Sequence, residues 1–114
     1  MVTVTMLQQG GRTVGFTSTG HAYHGEAGKD VVCSAISVLT LTCCLGLTQV
    51  VGLKEGKELV YSIDEDEGIH CVLANDTHGE QLDRAELLFL TMEAGLCSIK
   101  ESYRKSLKIR HREV

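Results

Sequence analysis

Residues 30–46 read DVVCSAISVLTLTCCLG, a possible cap, fifteen residues without a charge, and a glycine. Asp is a favoured N-cap, and Gly46 stands where a left-handed residue would end a helix, so the spacing predicts a helix from Asp30 to about Leu45. Val31, Val32, Ala35, Ile36, Val38, Leu39, Leu41 and Leu45 cover most of its circumference. Such a helix has to be packed on more than one side. The uncharged run continues to Leu53, 23 residues from Val31, about the length that spans a bilayer. Ser34, Ser37, Thr40, Thr42, Thr48 and Gln49 interrupt it and Gly46 cuts it, so a core helix is favoured and no membrane partner is expected.

Upstream, Val2, Val4 and Met6 alternate with Thr3, Thr5 and Gln8, and after Gly10-Gly11 come Thr13, Val14 and Phe16, which reads as a hairpin. Gly20 to Lys29, GHAYHGEAGK, has no apolar period and reads as a flexible loop carrying Gly20, Gly25 and Gly28. Downstream, Leu47–Leu53, Glu58–Ile63 and Ile69–Leu73 read as three short strands. Leu82, Ala85, Phe89 and Met92 then fall at helical spacing, predicting a second helix from about Gly79 to Ala94 with Gly95 just past its end. Its Leu87-Leu88-Phe89-Leu90 run exceeds one core stripe, and a homodimer would bury the surplus. Ile99–Ile109 alternates as a last strand. The order β-β-α-β-β-β-α-β predicts a single α+β domain over 1–114, a mostly antiparallel sheet with two helices packed on it.

Length and composition agree with one folded domain: 114 residues, 43% hydrophobic and 23% charged. Eleven basic against fifteen acidic side chains leave a net charge of −4, which argues against a protein whose main task is coating nucleic acid. The five Cys are odd in number, include the adjacent pair Cys43-Cys44 and form no C-x-x-C, unlike a secreted disulfide scaffold. The opening MVTVTMLQQG has no basic flank or apolar core of an export signal. The expectation is a reducing, cytoplasmic setting.

The chemistry concentrates in Gly20–Ser37, GHAYHGEAGKDVVCSAIS. It sets His21 at the end of a strand and Cys33 in the first turn of the apolar helix. The thiolate is the reactive form of Cys, and the partial positive charge and unpaired N–H groups of a helix N-terminus favour it. An imidazole nearby can take the proton and return it to a leaving amine, while the same N–H groups can receive an oxyanion. Against this stands the burial habit of cysteine, which suits Cys43, Cys44, Cys71 and Cys97 as core residues. Asp30 is open between capping the helix and orienting His21, and Ser37, one turn beyond Cys33, between bonding to a helix carbonyl and facing the site. A metal site through His21, His24 and Cys33 lacks the paired short spacings of structural zinc, and no cofactor is expected.

In its Gly20-His21-Ala22, its twelve positions from His21 to Cys33, and its Gly28, Asp30, Val31, Val32, Cys33, Ala35 and Ser37, the stretch resembles the bacterial ribosomal-processing cysteine proteases called Prp. The resemblance implies Cys33 as nucleophile, His21 as base, and Asp30 and Ser37 in support. It also implies a homodimer, with the N-terminal extension of large-subunit ribosomal protein twenty-seven as substrate. Tyr23-His24-Gly25 stands where the family would have Gly then Tyr, a departure that touches loop detail and substrate fit. The competing reading is a non-catalytic ribosome- or RNA-associated module using Arg104, Lys105, Lys108, Arg110, His111 and Arg112. With aromatics at 4% and no RNP-type motif, no direct nucleic-acid partner is expected.

Overall fold

The computed structural model describes residues 1–20, 31–64 and 68–114. Its elements run β1 (Val2–Gln9), β2 (Arg12–Gly20), α1 (Val31–Gln49), β3 (Leu59–Asp64), β4 (Gly68–Leu73), α2 (Gly79–Ser102) and β5 (Leu107–Glu113). The five strands form one sheet in the order β3-β4-β2-β1-β5. Every pairing is antiparallel except β1 with β5, where Val2 lies opposite Leu107 and Val4 opposite Ile109. This is the expected α+β class, mostly antiparallel, with two helices.

Alternation along the strands decides which face is covered. Val2, Val4, Met6, Phe16, Cys71, Leu59 and Leu107 are buried and share one face by register. The helices lie on that face. Phe89 of α2 meets Phe16 edge to face with centroids 6.2 Å apart, a favourable aromatic geometry. The hairpin is tied to α2 as well: Arg12 Nε donates to Glu86 at 2.6 Å, and the Thr13 backbone N–H donates to the other Glu86 oxygen at 2.6 Å.

Three boundaries differ from the sequence reading, for related reasons. Leu47–Leu53 is not a strand, because α1 continues to Gln49 and a turn follows. Gly46 does not end the helix. A Cβ there would sit 3.0 Å from Leu88 Cδ1, so its missing side chain is the space into which α2 packs. Gly95, read as the stop of α2, faces α1 in the same manner, with Leu39 Cδ1 3.0 Å from where its Cβ would be. These two glycines let the helices approach, and α2 runs on to Ser102. The last strand is therefore Leu107–Glu113 rather than Ile99–Ile109, since Phe89, Met92, Leu96 and Ile99 continue the helical spacing toward the core.

By length and apolarity α1 could cross a bilayer, yet Val32, Ile36, Thr40, Cys43, Cys44 and Leu47 are buried within the domain. Its other side is not packed in the single chain. Val31, Val38 and Leu45 are exposed at seven-residue intervals, and Leu87 and Leu90 of α2 are exposed as well.

Candidate active site

Cys33 is the third residue of α1, in its first turn, with a free and half-buried thiol packed against the core. The first N–H groups of a helix have no partner within it, and they concentrate the positive end of its dipole. No acidic residue occupies this first turn to oppose that field. Ser37 is half-buried one turn further on, on the side of the helix that Cys33 shares. Further along, the Thr40 hydroxyl donates to the Ile36 carbonyl at 3.0 Å and lies 3.1 Å from that of Ser37.

Gly20 closes β2 at φ +88, and a Cβ on it would strike the Met1 carbonyl oxygen. On the other side of the same strand end, Gly68 opens β4 at φ +87, and a Cβ there would strike the Ser18 carbonyl oxygen. The end of β2 is thus gripped between two backbones that only glycine allows so close. Sequence reading gave Gly20 to a mobile loop; it is the last residue of a strand instead. In the sequence Gly68 follows the acidic run Asp64–Glu67, and a glycine after a charge run is the signal that could have found it. His21, Gly25, Gly28 and Asp30 lie outside the described residues, as does the expected pairing of His21 with Cys33.

The other thiols separate clearly. Cys43, Cys44 and Cys71 are buried. Burial pushes the Cys43 thiol up to about 12, because a charged sulfur is disfavoured away from water. Cys71 donates a hydrogen bond to Cys44, and that bond together with burial holds the Cys71 thiol well above its ordinary value. Cys97 corrects the expectation of a core residue: it is exposed, in a groove of about 570 Å³ between α2 and β5. Its helical position points away from the Phe89-Met92-Leu96 stripe. Among the described residues, no group of three or more His, Cys, Asp or Glu side chains could hold a metal ion.

What this arrangement can do is present one thiol at a helix N-terminus, while Cys43, Cys44 and Cys71 are held in the core. Comparisons with known proteins point the same way. A family model described as cysteine protease Prp matches residues 1–108. The ribosomal processing cysteine protease Prp of Staphylococcus aureus is 28% identical over 116 residues, covering 98% of this chain and all of that protein. The crystal structure of that S. aureus protease with a covalently linked product peptide has a TM-score of 0.75 at 26% identity, covering 98% of this chain and all of the other. SMU.848 from Streptococcus mutans has the same fold, with a TM-score of 0.77 at 23% identity over all of this chain and 96% of its own.

Proposed function

The chain belongs to the Prp family of ribosomal-processing cysteine proteases, and on that premise we propose that Cys33 is its nucleophile and His21 its general base. Family membership makes it an enzyme, so the non-catalytic module falls away. The observation that carries the assignment is the half-buried Cys33 thiol in the first turn of α1, while three of the other four thiols are buried.

In this mechanism His21 accepts the Cys33 proton, and the thiolate attacks a peptide carbonyl carbon to form a tetrahedral oxyanion. N–H groups of the first turn of α1 stabilise that oxyanion. Its collapse breaks the C–N bond, His21 returns the proton to the departing amine, and a thioester remains on Cys33. Water, deprotonated by His21, then hydrolyses the thioester and frees the thiol. Asp30 and Ser37 support the pair. The substrate is the N-terminal extension of ribosomal protein twenty-seven, cut in the cytoplasm. A solved structure of the S. aureus protease with a covalently linked product peptide supports a peptide substrate.

The test is cleavage of a synthetic peptide spanning that extension from the same host. Cutting by the wild type and none by Cys33→Ala or His21→Ala is the expected result. A Cys33→Ala protein that still cuts overturns the nucleophile.

The active form is a homodimer. Val38 and Leu45 of α1 with Leu87 and Leu90 of α2 leave apolar surface in the single chain, and a second copy covers it. Light scattering at micromolar concentration gives twice the chain mass, and Val38→Glu with Leu87→Glu returns the monomer. A wild-type monomer at that concentration ends this part of the reading.

A further inference from the structure

The face of the sheet turned away from both helices carries a charge pattern that proteolysis does not use. On β5 the odd-numbered Ile109 and His111 face α2, where they line the groove beside Cys97. Alternation then turns Lys108, Arg110 and Arg112 to the open face. All three are exposed, and among the described residues none has a carboxylate partner. Register continues the pattern inward. Arg110 lies beside Thr5, Thr5 beside Thr17, Thr17 beside His70, and His70 beside Ser62, one polar row across all five strands. Thr3 lies beside Lys108, and Thr19 beside Thr3. Arg112 reaches over a depression of about 440 Å³ that Thr17, Thr19, Ser62, Asp64 and His70 also line. Among the described residues, Asp64 is the one carboxylate that register sets on this face, on the far edge strand.

We propose that this open face docks RNA through its phosphates. The net charge of −4 argued against nucleic acid for the chain as a whole, but charge acts where it stands. Arg104, Lys105, Lys108, Arg110 and Arg112 are five of the eleven basic residues, within one short stretch. The outward cations of β5 repeat about every 6.6 Å, close to the spacing of neighbouring phosphates along an extended polynucleotide. Guanidinium groups pair with phosphate oxygens bidentately, and threonine hydroxyls are ordinary phosphate contacts. Among the described strand residues no aromatic side chain faces this side, since Phe16 and Tyr61 point to the helices by register. Base stacking is therefore missing, and the binding is to backbone, independent of sequence. The same lack of aromatic anchors disfavours a lipid surface. Cys33 belongs to the helix layer on the opposite face, so docking there and cleavage are separate events.

Fluorescence anisotropy with a short mixed-sequence RNA oligonucleotide tests this. Three phosphate contacts give a slope of log affinity on log salt of about −2, so binding weakens about 20-fold between 50 and 200 mM salt. Lys108→Gln/Arg110→Gln/Arg112→Gln lowers affinity at least 10-fold with a slope near zero, while cleavage of the tail peptide is unchanged. Should the triple variant fold poorly by circular dichroism, Arg110→Gln alone reduces the slope by about 0.7. Lys54→Gln/Lys57→Gln/Arg84→Gln removes the same charge elsewhere and leaves RNA binding intact. A salt-independent affinity, an equal loss in that control, or polyglutamate binding as tightly as RNA overturns the proposal.

Discussion

Cys33 and Cys44 stand on one helix eleven residues apart, three turns, and so on nearly the same side of it. Only their ends of the helix differ. Cys33 lies in the first turn, half-buried, where unpaired N–H groups gather. Cys44 is buried over the sheet, accepts a hydrogen bond from Cys71 and has Tyr61 as a second partner. One stands half-buried where a helix N-terminus favours a thiolate and the other is buried in packing, although nothing in the residue type distinguishes them. Position along a helix and depth in the core decide what a thiol does.

The sharpest way to break this contrast is to remove each thiol in turn. Cys33→Ala should lower tail-peptide cleavage by at least about 1,000-fold, the scale on which loss of a covalent nucleophile acts. Thermal unfolding should hardly move, because the side chain is only half-buried. Cleavage within tenfold of wild type would erase the difference between the two ends of α1.

Alkylation reads the same contrast without turnover. A thiol raised to about 12 from an ordinary value of 9.0 is ~1,000-fold less ionised near neutral pH. Limiting iodoacetamide in a Cys97→Ser background, which removes the other accessible thiol, should label Cys33 and spare Cys43, Cys44 and Cys71 in mass spectrometry. Equal labelling of all four in the folded protein would sink the distinction.

The buried end should answer in stability instead. Cys44→Ala or Cys71→Ala removes a sulfur from a packed site and breaks their shared hydrogen bond, costing about 1 to 2 kcal/mol in denaturant titration. Their cleavage rates per folded molecule should stay within about twofold of wild type. A large fall in rate at unchanged stability would mean that the core thiols reach the chemistry.

The smallest effect is in alkaline pH. The folded-state value of Cys43 is raised above its unfolded one, so its contribution is complete below pH 9 and is lost as pH rises toward 12. At pH 10 the loss is about 1.4 kcal/mol for one such thiol. Cys43→Ala should flatten that decline between pH 8 and 10, whereas Cys33→Ala should leave it as it is.

How far the sequence reached can be followed through its glycines. Gly10-Gly11 between two alternating runs was enough for the hairpin, because turn chemistry and strand period are local. Gly46 and Gly95 were misread, since a glycine after an apolar run looks the same whether it ends a helix or makes room for a neighbour. Leu88 and Leu39, far along the chain, settle which. Leu47–Leu53 failed for a related reason: a short apolar run has no period of its own to separate strand from buried helix.

By itself, the sequence determined the α+β class, the uncharged core helix and the placing of Cys33 at its N-terminal turn, because caps, period and composition act over a few residues. Only the tertiary structure decided the parallel pairing of β1 with β5, the burial of Cys43, Cys44 and Cys71 beside the exposure of Cys97, and the common open face of Lys108, Arg110 and Arg112 with the threonines of β1 and β2. Those depend on contacts between segments tens of residues apart, which local propensity does not encode and which close packing alone selects.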